Sequence, residues 1–366
     1  MKHTLEELKT RQAYPLDLKI ALTKQRVRDW VNEFGTDGVY ISFSGGKDST
    51  VLMDIIRNDM GYNLPAVFVD VPTQYPELKQ FALQWDNVEV LKPKISFMEV
   101  CEKYGFPLIS KEVAGALGES YRYFEILKKK YNETLTPQEL YEKYKNEIKP
   151  PVRVTMFFGE YPHKEKGKLT GEFSHRFDRT KYKFMFNSNF KVSDKCCGVM
   201  KKKPLHEYAK RTNRKPITAT MAEESEQRTT KWLQNGCNAF HLKSPISNPL
   251  SFWTEQDILQ YIKTRNIPIC SVYGDIVTDF EKMGEMQGQT FLFETGEEPL
   301  KTTGCKRTGC MLCGFGCHFK DDTRFLQLKE THPKMYNLLD VVKNNGVTFR
   351  QAIEWINENG NLNIKL

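Results

Sequence analysis

The chain has 366 residues, 39% hydrophobic and 27% charged, with a formal net charge of +8 and a mean hydropathy of −0.56. That is enough apolar material for one large or two modest packed domains, and no apolar run approaches the ~20 residues that a membrane helix needs. The start Met1-Lys2-His3-Thr4-Leu5 has no apolar signal core, so a cytoplasmic protein with no membrane attachment is expected, and its mild positive charge is compatible with several kinds of anionic partner without choosing among them.

In chain order, residues 17–34 read as an amphipathic helix with Asp17 as its N-cap. The apolar run Val39-Tyr40-Ile41 predicts a buried strand, and Val51-Leu52-Met53-Asp54-Ile55-Ile56 a helix. Between them lies Ser42-Phe43-Ser44-Gly45-Gly46-Lys47-Asp48-Ser49-Thr50. Two glycines let the backbone approach a ligand closely, and the N-terminus of the following helix offers free N–H groups to an anion. Ser44, Ser49 and Thr50 add hydroxyls and Lys47 adds a cation, so the expected chemistry is phosphate binding rather than an ordinary capped turn. The loop is not a Walker A element: Asp48 follows Lys47, and no glycine stands five positions before Gly46.

Strands are expected at 65–71, ending near Asp70, at 88–91 and across 105–109, with helices at 76–85 and 96–104. This alternation predicts a doubly wound parallel α/β sheet, which places ligands at the carboxyl edge of its strands, where both the phosphate loop and Asp70 would lie. Residues 112–190 break the pattern and read as an insertion. It is helical over 121–145, then aromatic and basic, and the interleaving of Arg176, Phe177, Arg179, Lys181, Tyr182, Lys183 and Phe184 admits a nucleic-acid partner. The α/β pattern resumes with a helix at 205–211, strands at 216–220 and 239–242, a helix at 224–235 and another at 254–265 capped by Thr254. Residues 277–300 read as a loop, and 325–339 and 348–357 as terminal helices. The expected organisation is therefore a nucleotide-binding α/β domain from 1–111 and 191–300, the insertion 112–190, and a C-terminal region 301–366 that carries a cysteine cluster.

That cluster is Cys305-x4-Cys310-x2-Cys313-x3-Cys317 in a glycine-bearing loop, joined by the adjacent pair Cys196-Cys197. A C-x2-C turn directs two thiolates at one site, which suits zinc or an iron–sulfur cluster. Lone Cys101, Cys237 and Cys270 read as buried apolar residues.

Ser44-Gly45-Gly46-Lys47-Asp48-Ser49 resembles the PP-loop of the ATP pyrophosphatase (adenine nucleotide alpha hydrolase-like) superfamily, many of whose enzymes cut ATP between the α and β phosphates. Further segments resemble the PAPS reductase family within it. Residues 196–205 look like the CC-x-x-x-K-x-x-P-L segment of APS reductases, 68–77 like F-x-D-T-x-x-x-F-P-E, and 248–258 like N-P-x-x-x-W-T-x-x-D-I. Residues 221–228 resemble R-x-x-E-S-x-x-R, with Met221 in place of the first arginine and Ser225 and Arg228 kept. The PP-loop proteins of DNA phosphorothioation are similar too.

The resemblance implies nucleotide binding by Ser42, Phe43, Ser44, Gly45, Gly46, Lys47, Asp48, Ser49, Asp70, Ser225 and Arg228, with Lys47 and Asp48 catalytic and Mg²⁺ bridging phosphates. It implies a [4Fe–4S] cluster, zinc being the alternative, on Cys196 or Cys197 with Cys305, Cys310 and Cys313, leaving Cys317 spare. The intact SGGKDS and the lack of a cysteine after Cys317 point to ATP rather than a sulfonucleotide. The expected activity is adenylation of a substrate for sulfur transfer, with a sulfur-donor protein or nucleic acid as possible partner. A sulfonucleotide (APS or PAPS) reductase and a non-enzymatic nucleotide- and cluster-binding regulator are the alternatives.

Overall fold

The computed structural model describes residues 2–165, 167–280 and 298–366. They divide into two compact units: the first takes 1–93 and 203–309, the second 94–202 and 310–366.

The first unit is built on a six-stranded sheet. Its strands are β1 (Val39–Ser42), β2 (Ala66–Val69), β3 (Val88–Leu91), β4 (Lys215–Thr218), β5 (Asn238–Ala239) and β6 (Ile246–Ser247). The order is β3-β2-β1-β4-β6-β5, parallel except for the antiparallel β5–β6 edge. Val39, Tyr40 and Ile41 are all buried, as expected of an interior parallel strand covered on both faces. From β1 the chain moves one way to β2 and β3, and β4 joins the other side, so the switch in strand order falls between β1 and β4. Ligands of such sheets bind at that point, beyond the carboxyl ends of the strands.

Helices fix this edge. The helix Leu16–Phe34 is tied to the helix Glu255–Arg265 by Lys19, 2% exposed, whose Nζ reaches both oxygens of Asp257 at 2.7 and 2.6 Å and the Gln12 carbonyl at 2.6 Å. Asp257 also closes the capping box of Thr254, as the sequence reading of that cap expects. Trp253 Nε1 donates to Thr23 Oγ1 at 2.9 Å, and Tyr261 Oη to Asp54 at 2.7 Å. These buried polar ties set where Glu255 begins its helix.

Some expectations are corrected. Pro15, not Asp17, is the N-cap of Leu16–Phe34; proline presets the entry φ, and Asp17 sits in the first turn, where its charge complements the helix dipole. The strand expected at 239–242 is Asn238–Ala239 only. The extended segment at 105–109 forms Leu108–Ile109 but pairs in parallel with Gly314–Phe315 in the second unit instead of extending the main sheet. Of the loop expected at 277–300, residues 281–297 lie outside the described residues, while Ile276–Thr278 and Leu300–Thr302 pair as antiparallel strands.

The second unit holds the helices Phe97–Tyr104, Lys111–Tyr131 and Pro137–Tyr144, a hairpin of Pro162–Glu165 with Lys168–Phe173, and the C-terminal helices Arg324–Thr331 and Phe349–Gly360. The stretch 112–190 carries its own apolar cluster of Tyr123, Phe124, Leu127, Leu140, Tyr141, Tyr144 and Val154. In the aromatic-basic segment Tyr182 is buried, Phe184 packs on Trp355 and Arg179 pairs with Glu112 at 2.7 Å, while Arg176 and Lys181 are exposed. Among the described residues no helix is long and apolar enough to cross a membrane.

Candidate functional site

The phosphate loop leaves the carboxyl end of β1 and runs into the helix Lys47–Asp54. Gly45 takes φ +71°, and a Cβ there would stand 2.8 Å from the Leu78 carbonyl oxygen, so this position requires glycine. Gly46 is the N-cap and has no side chain with which to cap the helix, whose first N–H, that of Lys47, donates to the Tyr273 hydroxyl. The serines hold the loop's shape: Ser44 N–H donates to Ser49 Oγ at 3.2 Å, the two hydroxyls lie 3.0 Å apart, and Ser49 Oγ donates to the Gly46 carbonyl at 2.9 Å.

A cavity of about 280 Å³ opens beside this turn. Ser42, Ser44, Gly46, Lys47, Asp48 and Ser49 line one side. Thr218, Ala219 and Thr220, at the end of β4, line another, so the cavity sits on the switch point of the sheet. Arg228 completes the set of sequence-predicted residues at the cavity. Lys47 is 3% exposed; its Nζ pairs with Glu255 at 3.0 Å and donates to the Lys306 carbonyl at 2.7 Å. Arg228 is paired with Glu224. Burial holds the Asp48 carboxyl above the usual carboxylate range, with Lys47 the largest opposing influence. Its Oδ1 is buried without a hydrogen-bond partner. An orphaned, desolvated carboxylate oxygen beside a phosphate-binding turn is a fitting ligand for Mg²⁺.

Four of the expected residues do not line the cavity. Phe43 is a core residue packed against Trp85 and Phe81. Gly45 bends the turn. Ser225 is the N-cap of Glu226–Asn235, accepting from Arg228 N–H at 3.4 Å, and so positions that arginine. Asp70 pairs with Lys79 at 2.7 Å.

Sequence reasoning missed the threonines after β4, Glu224, Glu255, Tyr273, Arg307 and Thr308. Tyr273 is the central one. Its hydroxyl accepts the Lys47 N–H at 3.3 Å and lies 2.8 Å from Thr308 Oγ1. It reaches the loop from 226 residues further along the chain. The short basic run Lys306-Arg307-Thr308-Gly309, between the first two cysteines of the cluster, was the one local signal for this part of the wall.

The second unit gathers Cys196, Cys197, Cys310 and Cys313. Burial raises the Cys196 thiol, and the neighbouring Cys310, Cys197 and Cys313 add to it; Cys313 is raised by burial and by Cys310 and Cys197. Cys313 N–H donates to the Cys310 carbonyl at 3.0 Å, which closes the expected C-x2-C turn. Gly314 then pairs with Leu108, at a spot where a Cβ would meet Leu108 Cδ2 at 2.5 Å. Arg324 Nη1 donates to the Cys313 and Phe315 carbonyls. Cys317 is buried, its thiol pushed up to about 12 by desolvation. Cys305 belongs to the first unit, where its thiol donates to Tyr75 Oη at 3.6 Å. Cys101, Cys237 and Cys270 are buried, and Cys101 neighbours Cys196. Among the described residues no group of three or more His, Cys, Asp or Glu is arranged around a single metal ion. Cysteine thiols brought together in this way are the ligand type that iron–sulfur clusters use.

Residues 38–150 and 162–314 match the model of the phosphoadenosine phosphosulfate reductase domain. The chain belongs to that family. It is thereby a PP-loop protein that acts on nucleotides, and the matched span contains the whole cavity lining and all four gathered cysteines. No curated protein matches the chain. Among solved structures, an NMN synthetase from Francisella tularensis aligns over 95% of this chain and 94% of its own, at 11% identity and a TM-score of 0.30. At that score the likeness carries no weight for fold or function.

Proposed function

We propose that the chain is an ATP pyrophosphatase-type enzyme that adenylates a substrate in preparation for sulfur transfer. The observation that carries this reading is the intact Ser-Gly-Gly-Lys-Asp-Ser turn leading into a helix N-terminus, set at the switch point of a parallel sheet. The turn's N–H groups, Ser44 and Ser49 receive the β and γ phosphates. Lys47, desolvated and held by Glu255, offsets charge as pyrophosphate departs from the α-phosphorus. Asp48 would hold Mg²⁺, which supplies charge neutralisation across the phosphates. Arg228, set by the Ser225 cap, faces the same space.

Cys196, Cys197, Cys310 and Cys313 would hold an iron–sulfur cluster, with Cys305 a further ligand candidate from sequence. Such a cluster would supply electrons or a labile sulfur. The other candidate partners, a sulfur-donor protein and a nucleic acid, would present the sulfur or the acceptor.

The family model bears the name of a reductase, which favours sulfonucleotide reduction as the second reading. The two separate in one experiment. Anaerobically purified protein is assayed for pyrophosphate release from ATP and for sulfite release from APS and PAPS. The proposal expects pyrophosphate, reduced about 10²-fold or more in Lys47→Ala. Sulfite release without ATP turnover would replace it with the reductase reading, and ligand binding with neither reaction would indicate a regulator.

A further inference from the structure

Residues 302–308 form a strap fixed to the first unit beside the phosphate loop. Thr302 Oγ1 donates to the Cys305 carbonyl at 3.1 Å. The Gly304 and Cys305 N–H groups donate to the carbonyls of Tyr273 and Val272 at 2.9 and 2.8 Å. The Lys306 carbonyl receives Lys47 Nζ, and Thr308 meets the Tyr273 hydroxyl that also accepts the Lys47 N–H. These bonds carry Arg307 to the cavity wall, which it shares with Arg228 and Asp48.

The two guanidiniums differ. Arg228 is paired with Glu224, whereas Arg307 makes no ion pair or hydrogen bond among the described residues and acts on the Asp48 carboxyl through space alone. Their proximity is unfavourable to Arg228, whose charged form is disfavoured first by desolvation and then by Arg307 itself. Two guanidiniums lining one small cavity together favour an anion placed between them. Met221 lines the cavity with an apolar side chain, so the guanidinium that joins Arg228 comes from the strap.

We propose that Arg307 is a phosphate ligand of this site, closing with Arg228 on one phosphate while the loop and Lys47 hold its neighbour. The site therefore selects nucleotides that bear at least two linked phosphates. This rests on the nucleotide reading above and adds to it the residue and the ligand class.

The test is titration calorimetry with Mg²⁺ present, using ATP, pyrophosphate and AMP on the parent protein, R307A and R307K. Arg307 is exposed, so its removal leaves the fold in place, which the thermal midpoint checks. R307A should weaken ATP and pyrophosphate at least tenfold while changing AMP less than twofold. R307K should fall between, because lysine keeps the charge but not the planar fork. Equal pyrophosphate affinity in R307A and the parent would overturn the assignment, as would an equal loss for AMP and ATP. A parent that binds neither ATP nor pyrophosphate would overturn the nucleotide reading itself, a result distinguishable from either of those.

Discussion

Asp48 carries a conflict that is legible only at the level of one residue. Its carboxyl is buried and its pKa raised, first by desolvation, while Lys47, Arg307 and Arg228 pull the other way. A carboxyl whose folded pKa lies above its unfolded value contributes stability at low pH, where it is neutral, and loses it as pH rises through the folded pKa. An ionised Asp48 is thus a cost to the ligand-free fold. Asp48→Asn should raise the thermal midpoint of the ligand-free protein at pH 7–8, with the difference shrinking toward acid, and cut Mg²⁺-dependent pyrophosphate release about 10²-fold. In the parent, Mg²⁺–nucleotide affinity should fall with acidification at a pH above the ordinary carboxylate range. Calorimetric scans across pH check the first and pH-resolved titrations the second; a midpoint unchanged by the substitution would mean that Asp48 is not paying a desolvation penalty.

At the scale of the element, the loop works because its backbone has a shape that few residues allow. Gly45 combines φ +71° with a carbonyl oxygen 2.8 Å from where a Cβ would lie, on a segment bound by the helix Pro76–Ala82. Gly45→Ala should cost about 1–3 kcal/mol, from the left-handed backbone and the clash together, and should displace the turn that receives phosphate. Urea unfolding reads the loss of stability, and ATP titration reads a loss of affinity larger than stability alone would produce. The sequence exposed this element completely, since strand, glycine turn and helix are contiguous and their periodicities differ. The strap 302–308 and Tyr273 were not legible in the same way. Their place at the loop depends on hydrogen bonds spanning more than 200 residues, and no local pattern encodes a tyrosine hydroxyl meeting a distant N–H.

At the scale of the whole molecule, the chain leaves the first unit at residue 93, returns at 203 and leaves again at 309, with Cys310 opening the last segment of the second. The nucleotide cavity and the four coupled cysteines thus belong to different units of one chain. Anaerobic protein should contain about four irons and four sulfides per chain if a cubane cluster occupies the thiols. Cys310→Ser and Cys196→Ser should each lose most of that iron, while Cys237→Ser should retain it. Cys305→Ser is the informative variant, since full iron retention would restrict the ligands to the four gathered in the second unit. Iron retained in all four variants would exclude Cys196 and Cys310 as its ligands.

What the sequence determined by itself were the features carried by neighbouring residues: the α/β alternation, the parallel strands, the phosphate turn, the Thr254 cap and the C-x2-C turn. Each depends on side-chain periodicity, glycine freedom or a three-residue hydrogen bond, all local. Tertiary structure alone decided which distant residues share a site. It joined Glu255, Tyr273 and Arg307 to the loop, withdrew Asp70 to Lys79, placed Leu108–Ile109 against Gly314–Phe315, and assembled Cys196 and Cys197 with Cys310 and Cys313. These pairings follow from burying one apolar surface against another, and a surface is a property of the folded chain that no stretch of sequence displays alone.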